Sequence, residues 1–164
     1  MRTKYVARGG LYLAVAFVLG YLETIFAVPL VPGMKIGLSN LVTMLCLYTA
    51  PMGFTLLVST ARVLLVSFTF GNMYSLLYSA AGMLCSLVVM GILKRTNCFS
   101  MMGVSLAGGV CHNFGQILVA MLVLSSSFPM YYFPVLVVSG TVAGIFIGFL
   151  AGMVFKRIPH SFKE

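Results

Sequence analysis

Charged residues are almost absent from the long apolar runs of this chain and gather at their ends, and that pattern excludes most folds at once. Arg2, Lys4 and Arg8 precede the first run, Lys94 and Arg95 close the fourth, and Lys156 and Arg157 close the last. Inside the runs only Glu23 and Arg62 are charged. Charged residues make up 7% of the chain, whereas a soluble domain carries about 25%. A water-facing surface cannot be built from so little charge, so the solvent this sequence fits is lipid. A helix crossing the hydrocarbon core needs about 20 mainly apolar residues. Six such spans with short connections occupy nearly all 164 residues. The fold expected is an all-α integral membrane protein, with about six transmembrane helices in one bundle forming a single domain over 1–164.

The breaks between runs place the helices. The first run covers 9–27 and reads as a retained first helix rather than a signal peptide, because it is long, contains Glu23 and lacks a small-x-small cleavage site. Two prolines and a glycine in 28–35 end it. The second helix is expected over 36–50, which is short for a span, and Pro51 starts a turn into the third at 54–70. The fourth is expected over 74–93, the fifth over 101–124 and the sixth over 133–155.

The basic residues orient the bundle. With the amino terminus inside, the cytoplasmic ends hold Arg2, Lys4, Arg8, Lys94, Arg95, Lys156, Arg157 and Lys163, and the outer side holds only Lys35. Eight against one is the positive-inside pattern, with both termini cytoplasmic. The net charge of +8 would point to nucleic acid in a soluble protein. Basic residues at segment ends instead face lipid headgroups, so no nucleic-acid partner is expected. The outer loops are rich in proline and aromatics. Tyr131 and Tyr132 suit either an interface belt or a lid.

Small residues mark the helix contacts. Gly140, Gly144, Gly148 and Gly152 recur every four residues along one face of the sixth helix. Such a ridge lets another backbone come close, which is how membrane helices associate without a hydrophobic driving force. Ser105, Gly108, Gly109 and His112 give the fifth helix a matching face, and Ala16 with Gly20 give one to the first. These ridges serve packing within the chain or contact with another subunit.

An ionisable residue inside a membrane is costly and therefore a functional candidate. Glu23 lies about one turn from the outer end of its helix and Arg62 about two turns, a depth difference of roughly 6 Å that an arginine side chain spans. They either form an ion pair fixing two helices or face a polar cavity open to the outside. Asn40, His112, Asn113 and Gln116 fall in the same outer half, and Lys35 lies in the outer loop. Each alone reads as an interhelical hydrogen bond. Together they read as the polar points of a small-ligand site. Glu23, Lys35, Asn40, Arg62, His112, Asn113 and Gln116 are the candidate ligand-binding residues. Lys35 and Arg62 against Glu23 leave a slightly positive balance that favours an anionic group. Loops 29–33 and 125–132 are placed to close over it.

The same composition excludes chemistry. There is no aspartate, and the only glutamates are Glu23 and Glu164. Aspartate-rich magnesium motifs of the prenyl-synthase kind are therefore impossible, a Ser-His-Asp triad lacks its acid, and no GxxxxGK[ST] loop occurs. Cys46, Cys85, Cys98 and Cys111 form no CxxC pair and read as small apolar side chains. With only His112 and His160 beside them, no metal, haem or other cofactor is expected. The chain reads as non-enzymatic.

Four stretches carry a family resemblance: Lys35-Ile36-Gly37-Leu38-Ser39-Asn40-Leu41-Val42-Thr43, Ala61-Arg62-Val63-Leu64-Leu65, Ser75-Leu76-Leu77-Tyr78-Ser79-Ala80-Ala81-Gly82 and His112-Asn113-Phe114-Gly115-Gln116. They resemble the bacterial Gx transporter family, also labelled heptaprenyl diphosphate synthase component I, over nearly the whole chain. That family is similar to the substrate-binding S components of energy-coupling-factor transporters. The resemblance implies a six-helix protein of the bacterial cytoplasmic membrane that binds a small solute from the outer side for uptake. It also implies docking on a shared transmembrane subunit with two ATPases. The S components' alanine-xxx-alanine docking pattern has its nearest match here in Ala16 with Gly20. Relatives in flavin-based extracellular electron-transfer loci accompany a small membrane-anchored partner and demethylmenaquinone enzymes. The second implication is thus a non-catalytic membrane partner of quinone or isoprenoid synthesis, or of electron-transfer proteins.

Overall fold

A computed structural model describes residues 2–25 and 37–159. The helices are α1 (Arg2–Ile25), α2 (Asn40–Thr49), α3 (Met52–Phe70), α4 (Met73–Thr96), α5 (Met101–Leu124) and α6 (Phe133–Arg157), with a 3-10 turn at Phe128–Tyr132 leading into α6. No strand occurs among the described residues. Among the described residues five helices are long and apolar enough to cross a membrane. The sixth, α2, has 10 residues, about 15 Å of rise and therefore half of the hydrocarbon thickness.

Local chemistry sets the boundaries. Pro51 holds an extended conformation and launches α3. Asn72 caps α4, its side-chain oxygen accepting from the Ser75 amide at 2.8 Å, and Ser100 caps α5 through the Gly103 amide at 3.2 Å. Asn97 (φ 54°) and Ser125 (φ 47°) end α4 and α5 in the left-handed region.

Two starts differ from the sequence reading. α1 begins at Arg2 rather than at residue 9. A helix can run on past the hydrocarbon when its first turns carry long basic side chains that reach the headgroups. α2 begins at Asn40 rather than at residue 36. Gly37 takes φ 80°, a conformation no helix continues through. Its carbonyl accepts from the Asn40 amide at 2.8 Å, and the Leu38 carbonyl accepts from the Leu41 amide at 3.1 Å. Residues 29–33, Lys35 and Ile36 lie outside the described residues.

The neighbours run in order. α3 stands between α1 and α4, α4 packs on α5, α5 on α6, and α2 reaches both α6 and α3. Contacts at one end of the bundle fix the directions. The Tyr5 and Phe54 rings stand 5.8 Å apart, the Tyr12 and Thr49 hydroxyls bond at 2.6 Å, and Tyr48 meets Phe155 edge-on at 6.1 Å. Lys94 Nζ donates to the Leu47 carbonyl at 2.5 Å. The first turns of α1 and α3 and the last turns of α2, α4 and α6 therefore share this end. Arg8, Lys94, Arg95, Lys156 and Arg157 belong to those turns. Among the described residues the opposite end, around Ile25, Gly37, Gly71 and Ser125, carries no lysine or arginine.

Glycine lets the helices close up. A Cβ on Gly144 would lie 2.6 Å from the Leu106 Cα, and one on Gly148 2.7 Å from the Met102 Cα. One on Gly140 would lie 2.9 Å from the Gly109 carbonyl oxygen. The ridge of α6 thus sits backbone to backbone on α5, while at Gly152 nothing lies within 4 Å. On α1, Ala16 is fully buried and Gly20 receives Val66 of α3. The apolar core, including Leu45, Leu47, Leu87, Val104 and Ala151, fills the bundle toward its basic end.

Candidate functional site

Toward the other end the bundle is hollow. A cavity of about 800 Å³ is lined by residues from all six helices, a size at which small-molecule sites occur. Glu23 from α1, Asn40 from α2, Arg62 from α3 and His112, Asn113 and Gln116 from α5 all face it. Six of the seven candidate residues read from the sequence are therefore brought together, and Lys35 lies outside the described residues.

The charged end is the most constrained. Glu23 is 8% exposed and Arg62 5%. One carboxylate oxygen of Glu23 accepts from the Gly37 amide, and the other accepts from the Ser39 hydroxyl at 3.3 Å. Arg62 Nη1 donates to the Ser39 hydroxyl at 3.0 Å and to the Asn40 side-chain oxygen at 2.9 Å. Ser39 thus relays between the two charges. The ion pair considered from sequence takes this indirect form, and Glu23 spends its second oxygen on the turn that starts α2. Arg62 Nε is buried with no hydrogen-bond partner among the described residues. Leaving a buried N–H unsatisfied costs about 1–3 kcal/mol.

The walls divide by helix. His112 lies against α4 at Gly82, where an added Cβ would meet the imidazole at 2.8 Å, so only glycine admits the ring there. Asn113 ties α5 to α6: its amide nitrogen donates to the Leu136 carbonyl at 2.7 Å and to the Ser139 hydroxyl at 3.4 Å. Gln116 lies one turn further along α5, half-buried on the cavity wall. The α6 wall is mostly apolar, with Val135, Val138, Val142 and Phe146 facing the space. Among the described lining residues none comes from 125–132.

Reading the sequence missed the serines and Gly37. Ser39 joins the two charges, and Ser67, Ser75, Ser79 and Ser86 add hydroxyls along α3 and α4. For α4 a signal existed, since spacings of four and seven residues put Ser75, Ser79 and Ser86 on one face. Gly37 gave none, because its role depends on a carboxylate 14 residues away.

The cavity offers a fixed guanidinium, amide and hydroxyl groups, an imidazole and an apolar wall. That set can bind and orient a small molecule with an oxygen-rich end. Among the described residues no group of three or more His, Cys or Glu is placed to hold a metal. The sequence profile of a family described as heptaprenyl diphosphate synthase component I matches residues 12–154. No curated protein and no solved structure matches the chain.

Proposed function

The chain belongs to the heptaprenyl diphosphate synthase component I family, and from that premise we propose that it is a membrane-embedded, non-catalytic binding subunit that captures a small solute for uptake. The observation that carries this reading is the cavity in which Glu23, Asn40, Arg62, His112 and Gln116 converge from four helices. A subunit serving only as scaffold has no need of a hollow lined with polar groups at membrane depth, since each buried polar group costs free energy unless it is used. The positive balance of basic residues at one end supports a bacterial cytoplasmic membrane placement with both termini inside and the cavity toward the outside. Binding alone drives nothing uphill, because a ligand shifts a conformational equilibrium only by its differential affinity for the two states. Uptake then requires a partner, such as an energy-coupling-factor transmembrane subunit with its ATPases.

A second reading rests on the family's description. A component of a synthase implies a catalytic partner, and this chain would then be its membrane platform in quinone or isoprenoid synthesis, or beside electron-transfer proteins. The two separate on one measurement. Wild-type and Arg62→Gln protein are purified in parallel and the small molecules released on denaturation are compared by mass spectrometry. The binding reading expects at least one molecule retained by the wild type and depleted in the variant. Identical profiles from two equally folded proteins would favour the platform.

A further inference from the structure

Val135, Val138, Val142 and Phe146 line the cavity, yet they are 47%, 64%, 64% and 47% exposed. Their spacing of three, four and four residues puts them on one stripe of α6, on the side away from the glycines that meet α5. Residues that are at once cavity wall and open surface mean that the described residues do not close the cavity on this side. The gap follows α6 for about 16 Å, half the hydrocarbon thickness. Its cause is the length of α2. Toward the basic end α2 reaches α6, but it starts only at Asn40. Beyond that point, among the described residues, no helix stands between α6 and α1 and no extended contact joins those two. Gly20 and Thr24 of α1 form the facing edge.

We propose that the ligand of this cavity is a membrane-resident amphiphile with an anionic head. A phosphate or carboxylate sits at Arg62 and an apolar chain lies in the side opening along the α6 stripe. The inference rests on the binding reading above and names the class of ligand. An opening at membrane depth admits bilayer chains, so a fully water-soluble solute would compete with lipid for the apolar part, while a ligand carrying its own chain would not. Arg62 supplies the head's partner, being a nearly buried cation on the cavity wall. Ser39 and Asn40 hold Nη1 and so fix the position of a side chain that lines the cavity.

The test uses the full chain in lipid nanodiscs and a hexadecyl phosphate bearing a photoreactive diazirine midway along its chain. Illumination followed by peptide mapping is expected to place adducts on Val135, Val138, Val142 and Phe146. Arg62→Gln should lower their yield roughly tenfold or more, the loss of one charge-assisted bond. Val138→Phe with Val142→Phe, on an exposed face where folding is unaffected, should narrow the opening and lower the yield as well. The matched palmitate probe separates a phosphate from a carboxylate head. Adducts spread evenly over other exposed positions such as Leu64 and Val88, and indifferent to Arg62, would overturn the proposal. Butyl phosphate binding measured beside it distinguishes the failures. Arg62-dependent binding of the short phosphate with scattered adducts removes the amphiphile and leaves the solute-binding reading standing. No Arg62-dependent binding by either removes both.

Discussion

Arg62 has Nη1 committed, and that commitment decides what its removal should do. Nη1 is held by Ser39 and Asn40, so the side chain is oriented before any ligand arrives. Glu23 depends on Ser39 as well, and the two charges are coupled through one hydroxyl. Ser39→Ala should therefore destabilise the protein by about 1–3 kcal/mol, because it leaves polar atoms of both neighbours short of a partner. In a cycle of Glu23→Gln and Arg62→Gln, the double variant should be less destabilised than the sum of the singles, since each single leaves one uncompensated buried charge. Denaturant-induced unfolding in detergent measures both, and additivity within about 0.5 kcal/mol would show the relay to be energetically silent. Glu23 and Arg62 were legible as candidates because a charge inside a membrane run has no cheap explanation. Ser39 was not, because a serine in an apolar run usually bonds its own helix and gives no sign of a partner on another.

Helices of this bundle meet where glycine removes a side chain, and the geometry grades the glycines of α6. Gly144 faces backbone atoms of Leu106 and Ser105, which cannot swing aside as a side chain can, whereas Gly152 faces open space. Gly144→Ala should cost about 1–3 kcal/mol through overpacking, and Gly152→Ala should fall within about 0.5 kcal/mol of neutral. Thermal unfolding of the two variants side by side tests the contrast, and equal effects would mean that the ridge acts through something other than contact with α5. The four-residue spacing was visible in the sequence, but the grading was not. It depends on where α6 diverges from α5 along its length, which is set by the crossing of two helices rather than by either sequence. The half-length of α2 was only partly legible. The run looked short for a span, yet its true start waits on Gly37 turning to φ 80° under the pull of Glu23. Gly37→Ala should accordingly cost about 1–2 kcal/mol, the penalty of a left-handed conformation for a residue with a Cβ.

The whole molecule is graded along its axis, with basic side chains and much of the packed apolar core toward one end and a polar-lined hollow running in from the other as far as Met90 and Ser105. Both halves follow from where charge and small residues fall in the chain, which is why the helical class and the shared end of the termini could be read before any coordinates. The side opening could not, because it arises from an absence: a helix too short to stand between two others. Sidedness across the membrane turns on the same axial division. Native Cys98 is exposed beyond the last turn of α4, next to Lys94 and Arg95, and Met130 is exposed in the 3-10 turn at the opposite end. In a background with Cys46, Cys85 and Cys111 replaced by alanine, the two positions become single reporters of the two faces. A membrane-impermeant maleimide added to intact cells should label Met130→Cys, with Cys98 also replaced, and should leave Cys98 unlabelled until the cells are opened. The positive-inside bias favours the basic end on the cytoplasmic side, and labelling of Cys98 from outside would place eight basic residues against that bias. That outcome would turn the cavity toward the cytoplasm, and capture of a ligand for uptake would have to become release or delivery from within.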